Sequence, residues 1–170
     1  LLFVGALRDE GSPNVDSLLW FAVNVLPLIE VQIPSINLYV VGDLGATSLF
    51  AINKRNIVFK GKLETVDEMY NQCRVFVAPT RFAAGIPHKV HEAASAGIPS
   101  VTTELLSEQL RWEDGKETLV GANETEFAQQ CVRLYKESET WEKIREGSLQ
   151  AVSTDCSNFT FEKTLKLLVS

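Results

Sequence analysis

Short apolar, β-rich runs alternate with helical stretches along this 170-residue chain, and the alternation predicts an α/β fold. The expected architecture is a doubly wound, Rossmann-like parallel sheet in a single domain, with extra helices at the carboxyl end. Two further observations point the same way. Several strands read as near-continuous apolar runs, as parallel strands buried on both faces do. An apolar fraction of 45% and a charged fraction of 22% fit one globular domain that buries about two-thirds of its unfolded surface. These figures exclude a disordered chain, three cysteines exclude a disulfide scaffold, and a net charge of −6 argues against a general nucleic-acid binder. No apolar run approaches the roughly 18 residues of a membrane span, because Asn24 and Pro27 interrupt the stretch from Ser17 to Ile29.

The strands are expected at Leu2–Gly5, Asn37–Val41, Ile57–Phe59, Val75–Ala78 and Ser100–Thr102, with a short piece at Thr118–Val120. Ser12-Pro13-Asn14 starts the first helix, which Pro27 is expected to end. Thr65-Val66-Asp67-Glu68 opens a second with acids in its first turn. Ile86 to Ala96 forms a third, stopped by Gly97-Ile98-Pro99, and amphipathic helices follow at Glu124–Glu137, Glu139–Val152 and Asn158–Leu168. Leu1 already opens a strand, with no Met or leader before it, so the chain is expected to be the second half of a longer protein. Cys73, Cys131 and Cys156 form no CxxC and fit a reducing, cytoplasmic setting; the sequons at Asn123 and Asn158 would matter only in a secreted protein.

Charge is unevenly placed. Lys54 to Lys89 holds seven basic and three acidic residues, net +4, whereas Glu104 to Glu146 is net −5. A positive middle in an acidic protein suggests a local anion site. The segment from Val75 to Pro99 supplies its parts: a buried strand, a loop with Arg81 and Gly85, and a helix with Pro87 near its start. Pro87 lacks a donor that would be unpaired there anyway, and the amides beyond it point out of the helix end, where the dipole favours an anion. Arg81 adds a fork of donors and Lys89 a point charge. Gly85 lets a ligand approach the backbone, and the whole is a phosphate cradle. Glu92, three residues beyond Lys89 on the same side, can accept hydrogen bonds from vicinal ribose hydroxyls.

The pattern of strand, loop and helix ending Glu-Ala-x-x-x-Gly-x-Pro resembles the donor-binding C-terminal domain of GT-B glycosyltransferases, family 4 (group 1). Leu2-Phe-Val-Gly5, Pro13-Asn14-Val-Asp16, Leu26-Pro27-Leu28-Ile29, Tyr39-Val-Val-Gly42, Val58-Phe-Lys-Gly61 and the stretch from Gly115 to Ala128 fit the same family. Arg81 to Ala93 is similar to a subgroup signature, Arg-Phe-x-Ala-Gly-x-x-x-Lys-x-x-Glu-Ala. The resemblance implies a transferase that moves a sugar from a nucleotide-diphosphate sugar to a polysaccharide, lipid or protein-glycan acceptor, without a metal or other cofactor. Glu92 would hold the donor ribose. Arg81, Lys89 and the amides around Gly85, Ile86 and His88 would hold the diphosphate and stabilise it as it leaves. Gly5 would line the diphosphate, and a loop at Phe59-Lys60 would border the nucleobase. The family's first motif glutamate falls at Ala84, which removes that contact with the donor sugar. The same resemblance implies an N-terminal acceptor domain as partner and cytoplasmic residence, peripheral at the inner membrane through that other domain.

His88, His91 and Glu92 follow neither the order His-Glu-x-x-His nor its inverse, so zinc is not expected. Gly42-Asp43-Leu44-Gly45 lacks the third glycine and the following acid of a dinucleotide loop, which leaves a nicotinamide oxidoreductase without support. Trp20, Phe21, Leu134 and Tyr135 read as packing, Trp112-Glu113-Asp114-Gly115 as a turn, and His91 as exposed. Arg81 paired with a local acid is the bland alternative to an anion ligand. A non-catalytic nucleotide-sugar-binding or protein-interaction module is the functional one.

Overall fold

Six short strands rich in Val, Leu, Ile and Phe pair in parallel: β1 (Leu2–Val4), β2 (Leu38–Val41), β3 (Ile57–Gly61), β4 (Phe76–Ala78), β5 (Ser100–Thr102) and β6 (Leu119–Val120). The structure is a computed structural model and describes residues 1–52, 55–82 and 87–155. The strand order is β3-β2-β1-β4-β5-β6, so the doubly wound α/β expectation holds. The helices are α1 (Pro13–Trp20), α2 (Leu26–Gln32), α3 (Asp67–Gln72), α4 (His88–Ser95), α5 (Glu104–Leu110), α6 (Glu124–Lys136) and α7 (Ser138–Asp155).

Because successive strand residues point to opposite faces, the sheet feeds two cores. Phe3, Val40, Ile57, Val77 and Val101 pack under α1, α2 and α6, where Phe127 meets the rings of Phe21 and Trp20 edge-on at 6.0 and 5.8 Å. Leu2, Val41, Phe76 and Ala78 pack under α3, α4 and α5. α7 begins beside α6 and ends on this second face, against α4.

Ser12 starts α1 as expected: its hydroxyl accepts the Val15 N–H at 3.3 Å, and Pro13 takes the first helical position. Pro27 does not end the helix. A five-residue π-turn, Phe21–Val25, intervenes, and Pro27 falls in the first turn of α2, where its missing donor leaves little unmade. The resulting 20-residue run, Pro13–Gln32, is by length and composition apolar enough to cross a membrane, contrary to the expectation above. Its buried side chains (Leu18, Phe21, Ala22, Val25, Leu26 and Ile29) are those of a helix lying on a sheet. α4 stops as the sequence implies. Gly97 adopts φ 76°, its N–H bonds Ala94 O, and Ile98 N–H reaches back to Ala93 O at 3.1 Å. Asn123 caps α6 reciprocally with Glu126. α5 and a 3-10 turn at Thr47–Ala51 were not anticipated; the expected helix Asn158–Leu168, and Cys156, lie outside the described residues.

Gly42 fixes how closely the loops after β1 and β2 approach. Its φ is 154°, and a Cβ there would sit 1.7 Å from the Gly5 carbonyl oxygen. Gly61 also has a positive φ, 69°, but open space around it. Urea unfolding should therefore show Gly42→Ala losing at least about 3 kcal/mol and Gly61→Ala only about 1 kcal/mol.

Candidate functional site

In the order β3-β2-β1-β4-β5-β6, the chain leaves β1 toward β2 and leaves β4 toward β5, so the loops after these adjacent strands diverge. Ligands of doubly wound sheets bind at such a point. A cavity of about 300 Å³ opens there, its walls including Phe3, Val4, Asn14, Thr80, His88, Lys89 and Gln109. Asn14 is tied down by donating to Ala6 O at 3.1 Å, and Thr80 by accepting on its carbonyl from the Thr103 hydroxyl at 2.6 Å.

The first turn of α4 faces this cavity. Pro87 is its N-cap, and no side chain caps the end among the described residues. The ladder begins with Val90 N–H to Pro87 O at 2.9 Å, which leaves the His88 and Lys89 amides ahead of it. His88 is exposed at the rim and Lys89 is half-buried. Burial lowers the Lys89 pKa, with the nearby Glu92 charge opposing that shift, and Lys89 forms no ion pair among the described residues. Its charge is held partly out of water and lacks a closely paired anion. Glu92 itself is exposed, one turn along the same helix.

Arg81 is engaged elsewhere. Its Nε and Nη2 donate to the two carboxylate oxygens of Asp16 at 3.0 and 2.5 Å, and its guanidinium lies 5.7 Å from the Trp20 ring centroid. Gly5 is buried, and its N–H is taken by Val41 O at 2.9 Å; the cavity wall beside it is Phe3, Val4 and Asn14. Phe59 and Lys60 do not form a loop: β3 runs on to Gly61 and sends them to opposite faces. Phe59 lines a separate apolar groove of about 170 Å³ with Leu44, Leu49 and Phe50, and the Lys60 ammonium lies 5.4 Å from the Tyr39 ring centroid. Gly85, Ile86 and Ala84 lie outside the described residues. The positive middle segment is therefore dispersed, since Arg74 also goes its own way, donating to Tyr135 O at 2.7 Å.

His91 is not exposed as expected; its side chain is 14% accessible. Its Nε2 lies 3.3 Å from the Asp155 carboxylate, which also accepts from the Trp112 indole at 3.1 Å, so α4 is fastened to the end of α7. Among the described residues no three His, Cys, Asp or Glu side chains converge as a metal site. Nothing in the sequence singles out Glu10. It binds the backbone and hydroxyls of Ser48 and Thr47, which push its pKa down to about 2 and join the loops after β1 and β2.

The Lys89 environment has a measurable consequence. Its folded pKa lies below the unfolded value of about 10.4, so between the two the unfolded chain holds more protons and stability rises with pH. Lys89→Met removes the buried charge. The variant should have the higher urea midpoint at pH 7, and that lead should shrink as pH climbs toward about 10.4.

Comparison with known proteins places the fold. An uncharacterized 44.6 kDa protein in the cps region of Klebsiella pneumoniae is 24% identical over 145 residues, covering 80% of this chain and 37% of that protein. A mutant of TarM from S. aureus, in complex with Fondaparinux, alpha-GlcNAc-glycerol and UDP, is similar with a TM-score of 0.79 at 17% identity, over 99% of this chain and 35% of that one. The C-terminal domain of a glycosyl transferase group 1 family protein (LpcC) from Francisella tularensis gives a TM-score of 0.69 at 14% identity, over 92% of this chain and 86% of that one. The sheet is thus the Rossmann-like half of a GT-B fold. The family profile described as glycosyl transferases group 1 matches residues 1–137, and this chain belongs to that family.

Proposed function

We propose that the chain is the donor-binding part of a glycosyltransferase that moves a sugar from a nucleoside diphosphate sugar to an acceptor held by another domain. The observation that carries this reading is the half-buried Lys89, which has no ion-pair partner among the described residues, set at the first turn of α4, which no described side chain caps, and facing the cavity over β1 and β4. A diphosphate seated there would receive the His88 and Lys89 amides, the positive end of the helix dipole and the ammonium together. As the bond between the sugar's anomeric carbon and the diphosphate oxygen breaks, its electron pair stays on that oxygen. Those groups meet the growing charge while the acceptor hydroxyl oxygen bonds to the carbon and gives its proton to the departing diphosphate oxygen. Protein cations and amides fill the role a metal ion would otherwise play. Glu92, one turn further on, is the acceptor for ribose hydroxyls. UDP, which the S. aureus relative holds, is the first probe to try.

Arg81 favours a second reading, because Asp16 already takes two of its donors. A module that binds a nucleotide sugar without transferring it would not need that cation. Calorimetric titration of UDP, GDP, ADP and TDP into the chain should show tight binding of one of them. Lys89→Ala and Glu92→Ala should each weaken it by at least about tenfold. If all four fail to bind, or if they bind the Lys89→Ala variant equally well, the donor-site assignment is wrong. In the full-length protein, transfer that survives both Lys89→Ala and Glu92→Ala would likewise reject it. The chain alone is expected to fold but to give no transfer.

A further inference from the structure

At the carboxyl end of β1 a side chain from α1 takes the place that Gly5 leaves empty. Asn14 is half-buried, lines the cavity and lies over Gly5, where a Cβ would come within 3.0 Å of Asn14 Cγ and 3.1 Å of its Cβ. The amide is also held at one end. Its Nδ2 donates to Ala6 O at 3.1 Å. Since a carbonyl accepts only from a donor, that bond fixes which end of the amide is nitrogen and which is oxygen. Oδ1, an acceptor only, receives no hydrogen bond from the described residues. Such an oxygen repels the oxygens of a diphosphate and suits a ligand hydroxyl.

Two helices reach this crevice from opposite faces of the sheet. α1 packs through Val15 and Leu18 on one face, and α4 through Val90, Ala93 and Ala94 on the other. A nucleoside diphosphate sugar carries its ribose at one end of the diphosphate and its sugar at the other. With the diphosphate on the His88 and Lys89 amides and the ribose at Glu92, on the α4 side, the sugar is left to the wall that α1 supplies.

We infer that Asn14 is a specificity-determining residue for the transferred sugar: its Oδ1 accepts from a sugar hydroxyl while its Nδ2 keeps the bond to Ala6. This rests on the donor-site reading above. Because the amide is set before the ligand arrives, little side-chain freedom is lost on binding. A sugar whose hydroxyl points elsewhere leaves that oxygen unpaired and is rejected on that account.

The test is calorimetric titration of the chain with UDP, UDP-glucose, UDP-galactose and UDP-N-acetylglucosamine, and with GDP and GDP-mannose. The tightest sugar nucleotide and its parent nucleoside diphosphate are then titrated into Asn14→Ala and Asn14→Ser, whose thermal midpoints show that each is folded. Asn14→Ala should weaken the sugar nucleotide about tenfold and leave the nucleoside diphosphate unchanged. The serine hydroxyl, on a shorter side chain, should give the same selective loss. An equal loss for both ligands, which would mark a phosphate contact, or undiminished affinity for the sugar nucleotide in either folded variant would overturn the inference while leaving the donor site standing. Absence of binding by the wild-type chain would sink both.

Discussion

The separation of the loops after β1 and β4 is the constraint from which the rest of the site follows. Parallel strands need crossovers, and crossovers of one hand pass over one face when they travel one way and over the other when they return. With β1 and β4 side by side and their onward connections leaving in opposite directions, the described parts of these connections diverge over the gap between them. The cavity lies where the winding order parts these connections. The side chains decide what it can hold: one half-buried ammonium and an open helix end, with apolar walls from Phe3, Phe76 and Val77.

Holding that opening in shape takes several long-range ties. Glu10 bridges to Thr47 and Ser48, Arg8 pairs with Asp43, and Gly42 lets the two loops meet without a side chain between them. On the far side, Asp155 gathers the Trp112 indole and the His91 ring, so α4 is gripped from the carboxyl end of α7. The helix that carries Lys89 is thus packed by Val90, Ala93 and Ala94 beneath and held along its flank, while no side chain of the described residues caps its first turn. Rigid support with one unsatisfied end is the arrangement in which a fixed dipole acts on a ligand without first having to reorganise.

Much of the fold was legible because its signals are local. Ser12-Pro13 marks the start of α1, Gly97 the stop of α4, and the apolar runs of β1, β2 and β4 stand out from their surroundings. α5 escaped because a seven-residue helix offers fewer than two turns of periodicity to read. Pro27 misled because a proline in a first turn is harmless, and only the π-turn before it makes that position a first turn. The placing of His88, Lys89 and Glu92 on one helix, with the first two at the cavity, was legible because one stretch of chain carries it. The errors at the site came from partners far off in sequence. Asp16 claims Arg81 from 65 residues away, Asp155 claims His91 from 64, and the strand pleat separates Phe59 from Lys60. Counting cations in a segment located charge along the chain and could not say which way each side chain turns.

Lys60 illustrates the point in another way. β3 is the outermost strand on its side of the sheet, and at five residues it is far longer than β6 at the opposite border. A long uncovered border of backbone donors and acceptors invites a strand from another molecule, and end-to-end growth into aggregates is the hazard. Lys60 on that strand, and exposed Lys62 just past its end, would have to shed water before any such partner could dock. In that position Lys60 and Lys62 are like the edge lysines by which sheets resist extension by a neighbour's strand.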